Sequence, residues 1–372
     1  METSSKRLLS LDVFRGATIA GMILVNSPGD WGNIYSALRH AHWNGVTPTD
    51  LIFPFFLFIV GVAITLSLTK RKERGDNKGK LYLQIFRRTI IIFLLGLILN
   101  GFPNYNLSDI RIPGVLQRIA VVYCITSILF LNFSIKTQAI ISFVLLFIYW
   151  GMMTLIPVPG VGHANLEQST NLGAWLDNLL LGGHLWVVSK TWDPEGIIST
   201  IPAISTGIFG VLTGNYLLKS STDKTTKTVW MFIIGNFAIL VSMFWDMWFP
   251  INKQLWTSSY VIYTGGMALI VFAICYYLAD VKSYTWWTKP FVIYGTNAIA
   301  VYFLSWIFGD LLFLISWTSA GEVITLKDFL YDTFFTTWLS PINASLLWAV
   351  AYVLFWLGIM WIFYRKKIFI KV

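Results

Sequence analysis

Charged residues are scarce in this chain of 372 residues. Asp, Glu, Lys and Arg together make up 12% of the sequence, whereas 56% of the residues are hydrophobic. A soluble globular domain carries roughly twice that charged fraction, about 25%. The sequence also lacks the short alternating segments that are typical of a transmembrane β-barrel. These absences exclude a soluble domain and a barrel, and they predict an all-α polytopic membrane protein.

Cysteine and histidine are also rare. The two cysteines, Cys124 and Cys275, both fall within long apolar runs, so the sequence predicts no disulfide framework. Two of the four histidines, His40 and His42, lie in one polar loop. A His-x-His pair without a nearby cysteine is a weak pattern for a metal site, and we expect no metal.

Long apolar runs occupy most of the chain. Each is about 20 residues long, the length that an α-helix needs to cross the ~30 Å hydrocarbon core of a bilayer. The first run lacks a small-residue cleavage site and is interpreted as a retained span. The sequence predicts a single membrane domain over 1–372 with about ten transmembrane helices, at 9–26, 51–69, 84–101, 113–131, 137–156, 197–218, 229–249, 257–279, 291–311 and 343–364.

The 27 Lys and Arg residues are distributed unevenly over the loops. With the N-terminus placed in the cytoplasm, 20 of them lie on the cytoplasmic side, and two, Arg15 and Arg118, lie within spans. Only five lie on the outer loops: Arg39, Arg111, Lys190, Lys253 and Lys327. The positive-inside rule therefore predicts that both termini are cytoplasmic. Because the net charge of +9 follows this alternation, we interpret it as a topology signal and expect no nucleic-acid partner.

A polar loop between the first two spans, on the predicted outer side, is the leading candidate for chemistry. It contains Asn26, His40, Asn44 and Asp50. Imidazole is the group most often used as a general base or acyl carrier near neutral pH, so His40 is a candidate catalytic residue. The alternative is a solvated loop histidine, and His42 has a similar but weaker claim.

Asp50 has two interpretations. It could orient the imidazole of His40. The segment 47–50, Thr-Pro-Thr-Asp before an apolar run, is also typical of a helix start, with Thr47 as the N-cap, Pro48 at the first helical position and Asp50 at the third. We favour the capping role, and the two roles do not exclude each other.

Asp193 and Glu195 raise the same question at the sixth predicted span. They belong to the segment Asp-Pro-Glu-Gly, in which Asp193 could be an N-cap and Pro194 the first helical residue. A carboxylate pair at the mouth of a span could equally bind a sugar hydroxyl or an ammonium group. The residues themselves leave both interpretations open.

Several further polar residues lie within spans or near their predicted cytoplasmic ends. Arg15, Arg87 and Arg88 suit contacts with phosphate, although Arg15 could instead form an ion pair on its own helix. Arg118 and Asn297 lie within spans, where a polar side chain either marks a functional site or joins helices. These residues indicate a membrane protein with a polar cavity and do not separate an enzyme from a transporter.

Motifs that combine charged residues with Pro and Gly are spread along the chain. They are SLDVFRG (10–16), MILVN (22–26), HAHWNG (40–45), DLIFPFFLFIVG (50–61), RIPGVLQR (111–118), PVPG (157–160), DPEGI (193–197), PINKQLW (250–256), YGTN (294–297) and RKKIF (365–369). With them the chain resembles the heparan-α-glucosaminide N-acetyltransferase family over essentially its whole length. The resemblance implies transfer of an acetyl group from cytosolic acetyl-CoA to an amino sugar on the far side of the membrane.

The resemblance also assigns roles. It places the active-site histidine of the motif H-A-x-W-N-G at His40 and puts His42 at the variable position. With Asp50 as the residue that could orient this histidine and Asn26 as a possible donor to the oxyanion, the predicted catalytic residues are His40, Asp50 and Asn26. We expect acetyl-CoA near Arg15, Arg87, Arg88, Arg118 and Asn297. We expect the acceptor near Asn44, Asp193, Glu195 and Lys253, with Asn26, Asn44 and Asn297 as candidate donors to the thioester oxyanion.

The mechanism and the acceptor have alternatives at this stage. His40 would either accept the acetyl group covalently or deprotonate the sugar ammonium for direct attack. The rival functions are O-acetylation of a cell-envelope glycan and transport of a sugar or metabolite. Because the chain begins directly at the motif of residues 10–16, we expect a bacterial protein of the cytoplasmic membrane, with the lipid bilayer as a partner and a homodimer left open.

Overall fold

The structure is a computed structural model that describes residues 8–319 and 321–370. A short antiparallel hairpin, β1 (Ser316–Ser319) and β2 (Glu322–Thr325), is the one sheet within these ranges. The α-helices within them are α1 (Leu9–Asn26), α2 (Ile52–Glu73), α3 (Lys78–Gly101), α4 (Val115–Asn132), α5 (Ile135–Leu155), α6 (Leu172–Leu181), α7 (Thr200–Leu218), α8 (Lys224–Asp246), α9 (Ser258–Tyr276), α10 (Lys289–Thr296), α11 (Ala298–Leu314), α12 (Leu326–Tyr331) and α13 (Pro341–Arg365).

The helices confirm the predicted all-α membrane fold. Nine helices of the described part of the chain are long and apolar enough to cross a membrane, and the bent pair α10–α11 makes a tenth if it counts as one span. The predicted span 9–26 coincides with α1. By contrast, α2 continues to Glu73, beyond the predicted end at 69. Its last turn carries three basic residues, which are favourable at a helix C-terminus because of the helix dipole.

The ninth predicted span, 291–311, is not one straight helix. The chain bends by 82° between α10 and α11. Asn297 lies at the break with a non-helical backbone (φ −128°, ψ 38°). Its side chain accepts a hydrogen bond from the backbone of Ile370 and donates one to the carbonyl of Ile368, so contacts with the C-terminal segment hold the break.

The structure contradicts one of the two interpretations of Asp193, that of a helix N-cap. The helix α7 begins at Thr200, seven residues after Asp193, so Asp193 is not its N-cap. Asp193 instead accepts hydrogen bonds from the backbone N–H groups of Trp186 (3.0 Å) and Glu195 (2.9 Å). These bonds fold the segment into a turn before the helix. The loop 157–196 also contains the short helix α6, which the sequence analysis did not predict.

The described chain forms two compact units. Unit 1 comprises 8–40, 47–52 and 278–370, and unit 2 comprises 41–46 and 53–277. Each unit contains residues that are distant in sequence, so the grouping follows from tertiary packing. The single domain over 1–372 remains a prediction. His40 and Asp50 both belong to unit 1.

Unit 1 is organised around α1, which packs against α10, α11 and α13. The closest approach is between α1 and α10. A Cβ atom built on Gly16 would lie 1.7 Å from the carbonyl oxygen of Phe291, so no larger residue fits at this crossing. Small residues at such crossings are typical of membrane helix pairs, because they allow the backbones to approach closely.

Unit 2 contains α3 to α9 and most of α2. In it α4 packs against α3 and α7, α5 packs against α7, and α8 packs against α9. A glycine again permits the tightest crossing, since a Cβ atom on Gly61 of α2 would lie 1.9 Å from the carbonyl oxygen of Gly207 on α7. These crossings position the loops that carry the polar residues described next.

Candidate active site

The loop between α1 and α2 holds His40 against Asp50. The distance between His40 Nδ1 and Asp50 Oδ1 is 2.6 Å. The Asp50 side chain is 1% exposed, whereas 41% of the His40 side chain is exposed. The structure therefore pairs two of the residues predicted to be catalytic, with a buried carboxylate behind an accessible imidazole.

The start of the following helix holds Asp50 in place. Pro48–Leu51 forms a 3₁₀ turn with Thr47 as its N-cap and proline at its first position, which confirms the predicted helix start. The backbone N–H of Thr47 donates to Asp50 Oδ2 at 3.0 Å. Capping thus uses Oδ2, whereas the contact with His40 uses Oδ1. The two roles that the sequence left as alternatives occur together, on different oxygens of one carboxylate.

The backbone next to His40 is fixed as well. The hydroxyl of Thr47 lies 2.7 Å from the carbonyl oxygen of Arg39, the residue before His40. The Thr49 hydroxyl donates to the carbonyl oxygen of Ala37 at 3.2 Å. These bonds join the loop that carries His40 to the turn that carries Asp50. The pair is therefore preorganised by its surroundings, as a catalytic constellation requires.

A histidine whose Nδ1 is held by a carboxylate is suited to chemistry at Nε2. In the tautomer that carries its proton on Nδ1, the ring donates to Asp50 and Nε2 has a lone pair. That lone pair can take a proton from a nucleophile or attack an acyl group. The buried carboxylate stabilises the imidazolium that either step creates. The arrangement therefore supports general-base or nucleophilic catalysis.

Asn26, the third residue predicted to be catalytic, is the last residue of α1. It lines a cavity of about 230 Å³ within unit 1. Residues of α11 and α13 and the side chain of Lys327 form much of the remaining wall. Asn26 thus belongs to the same unit as the pair of His40 and Asp50, and its catalytic role remains a prediction.

Two residues that were predicted to contact acetyl-CoA also lie in unit 1. Arg15 is 25% exposed, and it donates to the carbonyl oxygen of Gly295 at 3.0 Å and lies 3.7 Å from Asp12. Asn297 is only 2% exposed, and both ends of its amide bond the C-terminal segment. Arg15 can therefore contribute to a phosphate site, whereas Asn297 is occupied by a structural role in this structure.

In unit 2, Asp193 and Glu195 form a buried cluster with Arg111. Arg111 donates to both oxygens of Asp193, at 2.8 and 2.6 Å, and to Glu195 at 2.5 Å. The carboxylate side chains are 0% and 8% exposed, respectively. Burial alone would lower the pKa of Arg111, but its contacts with the two carboxylates raise that pKa above its ordinary value. The pair predicted to bind the acceptor is thus already neutralised by an arginine.

Arg118 and Asp177 lie in the same part of unit 2. Arg118 is 2% exposed, donates to the carbonyl oxygen of Gly196 at 3.2 Å and lies 5.0 Å from the ring centroid of Trp256. Burial raises the pKa of the Asp177 carboxyl to about 6, although a hydrogen bond from the backbone of Ile197 opposes the shift. Arg118 is not accessible to a phosphate group here, so the structure does not support its predicted contact with acetyl-CoA.

The remaining predicted acceptor contacts, Asn44 and Lys253, are in unit 2. Asn44 is exposed, and its side-chain oxygen accepts a hydrogen bond from the amide of Asn252 at 3.1 Å. Lys253 is half-buried in a loop in which its carbonyl accepts the N–H of Trp256 at 3.1 Å. Neither contact assigns a ligand, and both roles remain predictions.

Arg87 and Arg88, also in unit 2, are exposed on α3. The guanidinium carbon of Arg88 lies 4.8 Å from the ring centroid of Tyr123, a cation–π contact that leaves the charge accessible. These two residues are therefore available to an anionic ligand, in contrast to Arg118.

One polar residue of unit 1 was missed by the sequence analysis. Asp310 lies on α11 and lines the same cavity as Asn26. The signal was present in the sequence, because Asp310 is the single charged residue of the predicted span 291–311. An ionisable residue within a span is by default a candidate for function.

No group of three or more His, Cys, Asp or Glu residues with a metal-binding arrangement occurs within 8–319 and 321–370. This observation does not test the expectation that the protein uses no metal.

The family model and the two curated relatives that match this chain carry the same description. The family model "Heparan-alpha-glucosaminide N-acetyltransferase, catalytic" matches residues 7–247. The chain is 32% identical over 421 residues to the heparan-alpha-glucosaminide N-acetyltransferase of Homo sapiens, covering 98% of this chain and 60% of the human protein. It is 31% identical over 425 residues to that of Mus musculus, covering 100% of this chain and 61% of the mouse protein. The chain thus spans about three fifths of the length of these relatives.

Proposed function

Because the chain belongs to the heparan-α-glucosaminide N-acetyltransferase family, we propose that it is a membrane acetyltransferase that acetylates the amine of a glucosamine-type sugar with acetyl-CoA. The observation that carries the proposal is the contact between His40 and Asp50, at 2.6 Å. This pair provides a base or nucleophile that a channel or transporter does not need. The names of the relatives favour an amine as the acceptor.

Two mechanisms are compatible with the pair. In the covalent route, His40 Nε2 attacks the thioester carbonyl and CoA leaves as its thiolate. The deprotonated sugar amine then attacks the acetyl-imidazole and releases the histidine. In the direct route, Nε2 removes a proton from the sugar ammonium, the amine attacks the thioester, and the imidazolium gives that proton to the departing thiolate. The second proton, which the nitrogen loses as the amide forms, then passes to Nε2 and on to solvent. Asp50 stabilises the positive ring in both routes.

The oxyanion and the phosphates need further groups. Asn26 is our preferred donor to the oxyanion, because it belongs to the same unit as His40 and because the amide N–H of Asn297 already donates to the C-terminal segment. Asn44 is a second candidate, since its bond with Asn252 uses its side-chain oxygen. We place the anionic part of acetyl-CoA near Arg15, Arg87 or Arg88, which are the accessible members of the predicted set. Cytosolic donor access, cytoplasmic termini, a bacterial cytoplasmic membrane and a homodimer remain predictions.

The reaction is tested by measuring CoA release from the purified full-length protein in detergent. We expect release with glucosamine and none with N-acetylglucosamine, because the nitrogen of the latter already carries an acetyl group. Release with sugars that offer only hydroxyl groups would instead support O-acetylation. If protein that elutes as a folded species releases no CoA with any acceptor, the enzyme interpretation is wrong. Incubation with labelled acetyl-CoA alone then separates the two routes, since only the covalent route leaves label on His40.

Replacing Asp50 separates its two roles. In Asp50→Asn the side-chain oxygen can still accept the N–H of Thr47, so we expect the helix start and the melting temperature to persist. The amide group would then face His40 and favour the tautomer with its proton on Nε2, which can neither attack nor accept a proton. We expect CoA release to fall by about 10²–10⁴-fold.

The matched comparison is Asp50→Ala, which removes the cap as well. Its rate of CoA release should fall as far as that of Asp50→Asn, and its free energy of unfolding should fall by about 1 kcal/mol in addition. If Asp50→Asn keeps full activity, the proposed orientation of His40 is wrong. Melting temperature and initial rate are measured on the same preparations of both variants.

A further inference from the structure

The cavity lined by Asn26 carries many aromatic side chains in its wall. It measures about 230 Å³ and lies within unit 1, at the end of α1 from which the His40 loop departs. Pockets for drug-sized ligands measure roughly 300–1,000 Å³, so this cavity suits a single ring rather than a chain of sugars. Its aromatic wall consists of Trp31, Tyr302, Trp306, Phe313, Trp348 and Tyr352.

Asp310 provides a carboxylate within this aromatic wall. It is half-buried on α11, which is otherwise apolar. Its carboxylate forms no hydrogen bond or ion pair with any residue of 8–319 or 321–370. A charged side chain on an apolar helix is costly unless it meets a partner, a ligand or a water-filled cavity, and such a residue is by default a candidate for function. A cationic ligand in the cavity would provide that partner.

Lys327 lines the same cavity but does not neutralise Asp310. Its ammonium group donates to the carbonyl oxygen of Gly29 and lies 3.5 Å from the carboxylate of Asp328. It also lies 4.8 Å from the ring centroid of Tyr331. These contacts direct the charge of Lys327 to groups other than Asp310. The cavity is thus lined by the carboxylate of Asp310 together with six aromatic side chains, and the ammonium group of Lys327 lies 5.8 Å from the ring centroid of one of them, Phe313.

We propose that this cavity binds the hexosamine ring of the acceptor, with the carboxylate of Asp310 receiving its ammonium group on binding, before the amine is deprotonated for transfer. The inference rests on the proposed function, which supplies an amino sugar as the acceptor. A carboxylate and an ammonium form a charge-assisted hydrogen bond, and tryptophan faces attract a cation. The amide of Asn26 can bond a ring hydroxyl. Asp310 would thus determine specificity for a protonated amine.

Other ligands fit the cavity less well. The carboxylate disfavours a lipid acyl chain, because an apolar chain would leave a buried charge unpaired. A protein site for calcium gathers several carboxylate and carbonyl oxygens, whereas Asp310 is the one carboxylate among the described residues that line this cavity. A small organic cation with an apolar face agrees with both features.

The test measures binding of the sugar without acetyl-CoA. Saturation-transfer NMR on the full-length protein in nanodiscs gives the affinity for glucosamine and for glucose, its neutral analogue. We expect the wild type to bind glucosamine more tightly than glucose. In Asp310→Asn, a substitution of almost equal shape, we expect the affinity for glucosamine to fall by about tenfold or more while that for glucose is retained.

Asp332→Asn is the matched control, since it removes the same charge at an exposed position outside the cavity lining. It should leave both affinities unchanged. Equal binding of glucosamine and glucose by the wild type would overturn the inference, and this comparison requires no folded variant. Equal binding of glucosamine by the wild type and Asp310→Asn would overturn it as well.

The outcome is distinguishable from failure of the proposed function. If glucosamine binds in an Asp310-dependent manner but no acceptor releases CoA, the site stands and the acetyltransferase proposal fails. If CoA is released with glucosamine while Asp310→Asn keeps its KM for that sugar, the reaction stands and the assignment of the cavity fails.

Discussion

His40→Ala is expected to lower the rate of CoA release by about 10²–10⁴-fold, the range that general-base and nucleophilic groups contribute. The substitution removes the lone pair that both mechanisms use. The carboxylate of Asp50 cannot take its place, because it is only 1% exposed and cannot reach the acceptor. The loss of stability should be smaller than for Arg111→Met described below, because the buried Asp50 carboxylate loses its contact with His40 but keeps the hydrogen bond from the N–H of Thr47. The measurement is the initial rate with glucosamine, alongside the melting temperature.

His42→Ala is the matched control for this substitution. It removes the same group two residues away, where the side chain is also exposed. We expect its rate to stay within a factor of a few of the wild type. Equal loss of activity in both variants would mean that the loop, rather than the imidazole of His40, is what the reaction requires.

Of the substitutions proposed here, Arg111→Met is expected to lower the free energy of unfolding most. It would leave the carboxylates of Asp193 and Glu195, 0% and 8% exposed, without the guanidinium that holds them. Breaking a buried ion pair by removal of one partner costs about 3–5 kcal/mol, because the remaining charge is unpaired. For a body of the size of unit 2 this corresponds to a drop of roughly 10 °C in melting temperature, measured by thermal unfolding in detergent.

Two further variants make this prediction specific. Lys190→Met removes an exposed positive charge from the same loop region and should leave the melting temperature unchanged. Adding Asp193→Asn and Glu195→Gln to Arg111→Met removes the unpaired charges and should restore part of the loss. If Arg111→Met melts like the wild type, the cluster is not a structural element, and an acceptor-binding role for Asp193 and Glu195 regains support.

The helices were largely predictable from the sequence, because a membrane span needs a long apolar run and little else. The predicted span 9–26 and the helix α1 agree at both ends. The break at Asn297 was not predictable, because it depends on hydrogen bonds with Ile368 and Ile370, more than 70 residues away. An apolar pattern indicates where a helix can form. It does not show where hydrogen bonds with a distant part of the chain interrupt that helix.

The candidate site shows the same limit at the level of single side chains. The turn formed by 47–50 was predicted because N-capping is local. The sequence raised the contact between Asp50 and His40 only as a possibility, because nine residues separate the two and most of them lie in irregular loop. Asp193 and Glu195 were interpreted as ligand groups because their partner, Arg111, lies more than 80 residues away in the chain.

The sequence by itself determined that this is an all-α membrane protein of one acetyltransferase family, since hydropathy and local motifs do not depend on tertiary contacts. It also singled out the loop with His40. Only the tertiary structure decided which charges are available. In the folded chain, Asp50 both accepts the N–H of Thr47 at the helix start and contacts His40. Arg111 neutralises Asp193 and Glu195, and Asp310 lies in the wall of a cavity rich in aromatic side chains. The reason is physical: the availability of a charge depends on burial and on partners distant in the chain, and neither is encoded locally.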